Sequence, residues 1–311
     1  MKYCFGIDLG GTTVKLGLFD TEGTVLDKWE IKTRSENGGA NILPDIAEAV
    51  KGKMEEKGIN TADVVGAGIG VPGPVTNDGY INKAVNLGWN ERFNVEEKLS
   101  SLLGVPVKAG NDANVAALGE MWKGGGAGAE NVVFVTLGTG VGGGIIIGGK
   151  IVTGSHGAGG EIGHIVINPE EKKRCGCGKT GCLEQYASAT GIVRLARKKL
   201  LDFNGETVLQ MESVTAKDVF DAVKAGDAAA IEVAEEFGRY LGYSLSIVST
   251  LVDPSIYVIG GGVSKAGEIL FDYIKGPYME KAFFANEEVE FALAELGNDA
   301  GIYGAAKLVL Q

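Results

Sequence analysis

Short apolar blocks separated by glycine-rich turns open the chain. Residues 3–9 are almost wholly apolar; a second mainly apolar block follows a turn near residues 10–13, and a mixed segment with apolar Val25, Trp29 and Ile31 follows a turn near residues 21–23. Blocks of this length bounded by turn residues predict strands, and three in succession predict a β-meander. The strands predicted from such blocks are residues 3–9, 14–19, 25–31, 64–70, 105–109, 132–137, 141–147, 256–259 and 289–293.

Helical spacing appears in the stretches between these strands. Apolar residues recur three and four positions apart from Ile42 to Met54, which predicts an amphipathic helix over residues 42–57. Asn94, with Glu97 three positions later, predicts a capped helix start. The other predicted helices are residues 111–122, 188–203, 216–225, 228–251, 264–282 and 301–310.

The opening strand–turn–strand pattern occurs a second time at residues 132–147. Asp8-Leu9-Gly10-Gly11-Thr12 in the first copy aligns with Thr136-Leu137-Gly138-Thr139-Gly140 in the second. A chance match of apolar strands with glycine corners is one explanation, but the shared order of the two meanders favours duplication. We therefore predict two related α/β domains facing one another, residues 1–110 (completed by a helix at 300–311) and residues 111–299.

Charge, hydropathy and cysteine spacing together argue against several classes of protein. The chain has 29 Lys and Arg residues against 40 Asp and Glu residues, a net charge of −11, so the basic patch of a nucleic-acid-binding protein is not expected. The chain contains no run of 18 or more apolar residues, so a membrane-spanning helix is not expected. The N-terminal residues lack a signal-peptide pattern, and the four cysteines lack the spacing of a disulfide framework, so we expect a cytoplasmic protein.

Glycine turns in both copies of the repeat are candidate phosphate sites. Asp8-x-Gly10-Gly11-Thr12 joins two strands, whereas the glycines of a Rossmann fingerprint open a helix, and the chain has no Walker P-loop. Consecutive N–H groups in a glycine hairpin can bind an anion, and the Thr12 and Thr139 hydroxyls add donors. A single such hairpin is most simply an ordinary turn, but two of them and a strand-terminal Gly260-Gly261-Gly262 favour a nucleotide. Asp8 is placed to hold Mg²⁺ through water.

Asn111 and Asp112 lie where a predicted strand ends and a helix begins. A carboxylate at this point can accept the proton of an attacking hydroxyl, which makes Asp112 a candidate general base, with Asn111 orienting the hydroxyl. Asn and Asp are also favoured helix N-cap residues, and the spacing alone favours that structural role.

Three of the four cysteines, Cys175, Cys177 and Cys182, fall within eight residues. The glycines between them allow three thiolates to converge on one ion, and a closed zinc site needs a fourth ligand. Of the two histidines, His164 is a better candidate than His156. A redox pair and a chance cluster are the alternatives.

A Cys₃His set leaves no open position for water, so the predicted zinc is structural rather than catalytic. We expect it to hold loop 164–182 and thereby to orient Glu161 and Glu184. Cys4, within the first strand, is interpreted as a small buried apolar residue.

Together these motifs resemble the ROK family (repressors, open reading frames and sugar kinases) along essentially the whole chain. The matching segments are Asp8-x-Gly-Gly-Thr12-x-x-Lys15, Val71-Pro-Gly-Pro74, Asn111-Asp112, Leu137-Gly-Thr-Gly-Val-Gly-Gly-Gly144, Glu161-x-Gly-His164 and Cys175-Gly-Cys-Gly-x-x-Gly-Cys-Leu-Glu184. Within the family, Asn86-Leu-Gly-Trp89 and residues 175–191 look most like bacterial glucokinases. The resemblance implies an actin-like (ribonuclease H-like) two-domain α/β fold with a cleft between duplicated lobes. It also implies phosphoryl transfer from ATP with Mg²⁺ to the 6-hydroxyl of a hexose, foremost glucose.

The resemblance further implies roles for individual residues. Asp112 becomes the general base, in place of the capping role that spacing favours. The implied sugar contacts are Gly73, Asn86, Asn111, Asp112, Glu161, His164 and Glu184. The implied contacts to ATP and its metal are Asp8, Gly10, Gly11, Thr12, Thr13, Lys15, Gly138, Thr139, Gly140, Gly142, Gly260, Gly261 and Gly262. The implied zinc ligands are His164, Cys175, Cys177 and Cys182.

Several alternatives stay open beside the hexose kinase. ROK repressors carry an N-terminal helix-turn-helix, and the predicted strand that leads into the first phosphate turn begins at residue 3, which leaves no room for one. A filament-forming or chaperone-type actin relative would not need the cysteines. N-acetylmannosamine, N-acetylglucosamine or fructose could replace glucose, and ADP or polyphosphate could replace ATP. The resemblance implies a homodimer or homotetramer, with no nucleic-acid or membrane partner.

Overall fold

The computed structural model describes every residue from Met1 to Gln311 and divides into two compact units. The first unit comprises Met1–Glu130, Gly144–Gly160 and Glu295–Gln311, and the second comprises Asn131–Gly143 and Glu161–Ala294. None of the helices combines the length and the apolar character that crossing a membrane would require.

The chain forms twelve strands and ten α-helices. The strands are β1 (Tyr3–Leu9), β2 (Thr13–Asp20), β3 (Val25–Lys32), β4 (Val64–Val71), β5 (Tyr80–Ile81), β6 (Phe93–Asn94), β7 (Val107–Asn111), β8 (Val132–Leu137), β9 (Val141–Ile147), β10 (Lys150–Ile151), β11 (Ile256–Gly260) and β12 (Glu290–Leu293). The helices are α1 (Glu36–Gly39), α2 (Ile42–Lys57), α3 (Val95–Leu103), α4 (Asp112–Lys123), α5 (Glu184–Ala187), α6 (Ala189–Asp202), α7 (Ala216–Lys224), α8 (Ala228–Val252), α9 (Ile269–Lys281) and α10 (Ala300–Val309).

Two five-stranded sheets repeat one strand order. The first sheet runs β3-β2-β1-β4-β7 and the second runs β10-β9-β8-β11-β12. In the first, β1 pairs antiparallel with β2 and parallel with β4; in the second, β8 pairs parallel with β11, and β9 pairs antiparallel with β10. The repeat predicted from the sequence is therefore confirmed at the level of strand order.

Most predicted helices begin and end within a residue or two of the observed ones. Helix α2 spans the predicted range, and it ends at Gly58, which takes the left-handed conformation of a C-cap at φ 66°. Helix α9 is the exception, because it begins at Ile269 and not at residue 264. A separate short 3₁₀ turn, Val263–Ala266, precedes it, and Gly267 at φ 90° separates the two segments.

Helix α10 lies directly against the first sheet because glycines remove the side chains between them. A Cβ atom on Gly6 would lie 1.9 Å from the carbonyl oxygen of Ile302, and one on Gly68 would lie 1.7 Å from that of Ala305. Neither glycine can be replaced unless the helix moves away from the sheet.

Helix α4 packs against α10 with the same closeness. A Cβ atom on Gly304 would lie 1.6 Å from the carbonyl oxygen of Val115, and one on Gly119 would lie 2.2 Å from that of Ala300. Helix α4 is thus part of the first unit, which ends at Glu130. This division differs from the boundary at residue 110 expected from the sequence, because helical spacing does not reveal which partner a helix packs against.

A buried carboxylate fixes the return of the chain to the first unit. Glu120 on α4 has no exposed surface, and its carboxylate oxygens accept hydrogen bonds from the backbone N–H groups of Gly125, Glu295 and Leu296, each at 3.0 Å. A buried carboxylate is tolerated when it is hydrogen-bonded in this way. Glu120 therefore joins the end of α4 to the segment that leads into α10.

The second unit contains a polar network around Glu171. The Tyr186 hydroxyl donates to the Glu171 carboxylate at 2.7 Å, and the Arg194 guanidinium donates to the same oxygen at 2.6 Å. Burial alone would raise the pKa of Glu171, but hydrogen bonds from the Lys173 N–H, Tyr186 and Arg194 outweigh burial and lower the pKa to about 2.

We expect Glu171→Gln to destabilise the protein by about 1–3 kcal/mol at pH 7, because the amide loses the charge-assisted bond to Arg194. A carboxyl group whose pKa is lower in the folded than in the unfolded state stabilises the fold fully at pH values above the unfolded-state pKa. The contribution of Glu171 should therefore be lost as the pH falls from about 4.5 toward 2. Urea unfolding at pH 7 and at about pH 3, between the folded and unfolded pKa values, measures the difference, which should be clearly smaller at the lower pH. An equal difference at both values would contradict the assignment.

Candidate active site and metal centre

The carboxyl ends of three parallel strands bring the predicted acidic residues of the first unit together. Asp8 on β1 lies opposite Gly70 on β4, and Gly70 lies opposite Gly110 on β7. Asn111 and Asp112 follow next along the chain, at the same edge of the sheet. Burial raises the pKa of Asp8, the Lys15 ammonium partly offsets this rise, and the neighbouring Asp112 carboxylate adds to it.

Asn111 is the N-cap of α4. Its side-chain oxygen accepts hydrogen bonds from the N–H groups of Ala113 (3.0 Å) and Asn114 (3.2 Å), and its amide nitrogen donates to the carbonyl oxygen of Gly73 at 3.2 Å. Asp112 is the first residue of the helix; its exposed carboxylate accepts from the Ala113 N–H at 2.8 Å. Asn111 therefore takes the main capping role and also contacts Gly73, another predicted sugar residue.

The turn between β1 and β2 is braced from β3. The Gly10 N–H donates to the Thr13 carbonyl at 3.0 Å, while the Thr33 hydroxyl donates to the Gly10 carbonyl at 2.7 Å and the Thr33 N–H to the Thr12 carbonyl at 2.9 Å. Gly11 and Thr12 at the tip of the turn are exposed. The turn is thus rigid at its base and open at its tip, as an anion-binding turn requires.

Two other predicted residues of the first unit lie near this turn. A Cβ atom on Gly11 would lie 3.9 Å from the Cβ of Asn86, so the predicted sugar contact lies beside the predicted phosphate turn. Lys15 lies opposite Asp8 on β2, and its ammonium donates to the carbonyl oxygen of Asn298 at 3.1 Å.

The equivalent turn of the second unit, Gly138–Val141, is braced from the start of α6. The Ala189 N–H donates to the Gly138 carbonyl at 2.8 Å, and the Thr190 hydroxyl donates to the Thr139 carbonyl at 2.9 Å. The strand-terminal glycines lie next to this turn: a Cβ atom on Gly261, whose φ is 83°, would lie 2.6 Å from the Leu137 backbone. The structure therefore brings Gly138–Gly140 and Gly260–Gly262 together.

The four predicted zinc ligands meet in the second unit. One donor atom from each of the four side chains lies within 4.8 Å of the other three, the set being His164, Cys175, Cys177 and Cys182. The Cys177 and Cys182 sulfurs are 3.6 Å apart, and the Cys175 sulfur lies 3.8 Å from His164 Nδ1. A tetrahedron with metal–sulfur bonds of about 2.3 Å has edges of about 3.8 Å. Three thiols and an imidazole at these separations fit a tetrahedral zinc ion.

The thiol environments differ across this cluster. Burial raises the pKa of Cys182 to about 12 and also raises the pKa of Cys175, whereas the Lys179 N–H lowers the pKa of the exposed Cys177. Zinc binds thiolates, so an ion at this site would displace the protons of the two buried thiols. Cys4 lies apart from the cluster and has no exposed surface, as predicted.

The two predicted sugar-binding glutamates border the metal cluster. Glu161 precedes the 3₁₀ turn Ile162–His164, and its carboxylate lies 4.0 Å from His164 Nε2. Glu184 begins α5; one oxygen lies 3.3 Å from the Cys175 sulfur, and the other accepts the Val141 N–H at 3.2 Å. Both carboxylates are therefore positioned by the same loop that carries the cysteines.

Comparison with known protein families matches residues 4–311 to the model described as the ROK family. This chain belongs to the ROK family. It is similar to the glucokinase of Halalkalibacterium halodurans, with 45% identity over 100% of this chain and 96% of that protein. It is also similar to the crystal structure of a ROK hexokinase from Thermus thermophilus, with a TM-score of 0.82 and 33% identity over 99% of this chain and 97% of the other.

A second solved structure is a ROK family glucokinase from Streptomyces griseus in complex with glucose and AMPPNP. Its TM-score is 0.73, with 35% identity over 98% of each chain. The actin-like two-domain fold expected from the sequence is the fold of these ROK sugar kinases, so that prediction is confirmed.

The sequence did not predict two hydroxyl residues that hold the turns of this ROK protein. Thr33 is buried and holds the first turn, and Thr190 holds the second. Thr33 lies outside the glycine-rich segments and Thr190 lies at the end of one, and each meets its turn only through the tertiary fold. A threonine shortly after a strand or at a helix start is too common a signal to have identified them.

Proposed function

We propose that this ROK protein transfers the γ-phosphoryl group of ATP to the 6-hydroxyl of glucose. The observation that carries the proposal is the full-length similarity to glucokinases. The local geometry agrees with it, because Asn111 and Asp112 project from the carboxyl edge of the first sheet beside Asp8.

Asp112 is proposed as the general base. In the reaction, the 6-oxygen of the sugar forms a bond to the γ-phosphorus, the bond from that phosphorus to the bridging oxygen of ADP breaks, and the Asp112 carboxylate takes the hydroxyl proton. The exposure of Asp112 leaves its carboxylate accessible to a sugar. Asn111 uses its oxygen for capping and one N–H for Gly73, so its second amide N–H is the group it offers to a sugar hydroxyl.

The remaining sugar contacts are proposed to come from Asn86, Glu161, His164 and Glu184. Sugar hydroxyls are both donors and acceptors, so carboxylates and amides distinguish them far better than an apolar surface does. We propose that the turns at Gly10–Thr13 and Gly138–Val141 bind the phosphates of ATP through backbone N–H groups. Asp8 would hold Mg²⁺, whose charge neutralises the phosphates when it is bound.

Zinc is the proposed ion of the Cys₃His cluster, since three thiolates and one imidazole form a common structural zinc site. Its proposed task is to hold the loop that carries Glu161 and Glu184. A cytoplasmic location and assembly as a homodimer or homotetramer stay predictions, and light scattering on the purified protein tests the second of them.

A coupled assay of ADP release across a panel of hexoses tests the proposed reaction. We expect activity on glucose that requires Mg²⁺, with a kcat/KM at least about 10-fold above those for N-acetylmannosamine, N-acetylglucosamine and fructose, since a missing or extra group in a polar pocket costs at least this much. Activity on N-acetylmannosamine with none on glucose would reject the sugar and retain the reaction class. Absence of ADP release with every sugar would reject both.

A further inference from the structure

We infer that Glu184 is a positioning residue for the turn Gly138–Val141, so that nucleotide affinity depends on a side chain whose implied role is sugar binding. The inference rests on the proposed function, because it assumes that this turn binds the phosphates of ATP. It concerns a bond that Glu184 makes and that Glu161, the other predicted sugar carboxylate, does not make.

The first observation is the hydrogen bond from the Val141 N–H to the Glu184 carboxylate, at 3.2 Å. Val141 is buried and Glu184 is half-buried, so the carboxylate satisfies a backbone N–H that has little access to solvent in the folded protein. The fit is close, because a Cβ atom on Gly140 would lie 2.3 Å from the same carboxylate oxygen. A residue other than glycine at position 140 would push Glu184 away from the turn.

The second observation is that the rest of the turn is held by the same segment of chain. Ala189 and Thr190, five and six residues after Glu184, donate to the carbonyl oxygens of Gly138 and Thr139. The segment 184–190 therefore holds three successive peptide groups of the turn, those between residues 138 and 141. It begins two residues after Cys182, so the metal cluster and the turn are joined by one short segment.

The first two of these bonds fix the directions of the N–H groups of Thr139 and Gly140, which a phosphate would meet, and the third holds the peptide group that follows them. A peptide group is planar, with its C=O and N–H on opposite sides. Holding the Gly138 carbonyl against α6 therefore directs the Thr139 N–H away from α6, and holding the Thr139 carbonyl does the same for the Gly140 N–H. Adjacent N–H groups directed to one side form an anion-binding nest. Glu184 anchors the end of this nest at Val141.

The test measures nucleotide affinity without any sugar. Isothermal titration calorimetry with AMPPNP and Mg²⁺ is applied to the full-length wild type, Glu184→Ala, Glu184→Gln and Glu170→Ala. We expect Glu184→Ala to weaken binding about 10-fold, because it loses a hydrogen bond to a charged acceptor and frees the end of the turn. Glu184→Gln should stay within about twofold of the wild type, since its amide oxygen still accepts the Val141 N–H.

Glu170→Ala is the matched control, because it removes an exposed carboxylate from loop 164–182 that belongs to none of the proposed sugar, phosphate or metal contacts. Its AMPPNP affinity should equal that of the wild type. Zinc content and the unfolding midpoint of each variant identify any that fail to fold. Glu184→Asp serves as the second variant, since it keeps the charge but is one methylene shorter and should also weaken binding.

Wild-type AMPPNP affinity in both Glu184→Ala and Glu184→Asp would overturn the inference. So would an equal loss in Glu170→Ala, because the effect would then belong to the loop in general. If the wild-type chain bound no AMPPNP, the proposed function itself would fail, and that result is distinct from a selective change in the variants.

Discussion

Asp112→Asn should lower kcat for glucose by about 10²–10⁴-fold, because the amide cannot accept the proton of the 6-hydroxyl. The substitution is nearly isosteric, and the amide oxygen can still accept the hydrogen bond that the carboxylate receives from the Ala113 N–H. We therefore expect the fold, the zinc content and the affinity for AMPPNP to be retained. Steady-state kinetics by the coupled ADP assay measures the loss.

Asp63→Asn is the control for this experiment. Asp63 ends a short 3₁₀ turn of the same unit, and its ion pair with Lys2 spans 3.7 Å between partly exposed side chains. Exposed pairs of this kind contribute little, so this variant should keep wild-type kcat. Turnover by Asp112→Asn close to that of the wild type would show that Asp112 is not the base.

Cys182→Ser should abolish stoichiometric zinc binding and destabilise the second unit by several kcal/mol, since a structural zinc site contributes folding free energy directly. Cys182 has no exposed surface, so the substitution acts inside the fold and not at the surface. Metal analysis of the purified protein and denaturant unfolding measure the two effects. Treatment of the wild type with a strong chelator should produce the same shift in the unfolding midpoint.

Cys4→Ala provides the matched control, because Cys4 is equally buried but lies in β1 of the other unit. It should cost some stability through the lost packing and leave one zinc ion per chain. Full zinc content in Cys182→Ser would remove Cys182 from the ligand set. Loss of zinc from Cys4→Ala would show that the metal content depends on the fold in general.

The sequence predicted the elements well where local signals agree. For α2, the apolar spacing and the left-handed Gly58 mark the same helix. The sequence assigned α4 to the second domain, whereas it belongs to the first unit, because its contact with α10 depends on Gly119 and Gly304, which are distant in the chain. An apolar stripe shows that a helix is covered on one face and does not identify the element that covers it.

The candidate site, too, could be predicted where the signal is local in the sequence and not where it depends on the tertiary fold. The cysteine cluster could be predicted, because three ligands lie within eight residues and the chain has few histidines. Asn111 and Asp112 could be located at a strand end, but spacing could not separate a cap from a base. The bracing of the turns by Thr33 and Thr190 and the bond from Val141 to Glu184 join residues that only the fold brings together.

The packing of α10 has a consequence for synthesis on the ribosome. Residues 295–311 complete the first unit, yet they are translated after the whole of the second. The glycine surface at Gly6 and Gly68, against which α10 packs, stays uncovered until that helix has been translated. Glu120 likewise lacks two of its three N–H partners until Glu295 and Leu296 have left the ribosome. The first sheet therefore stays incompletely covered while the second unit is translated. The first unit, although it is begun first, can complete its fold only after the second has been synthesised.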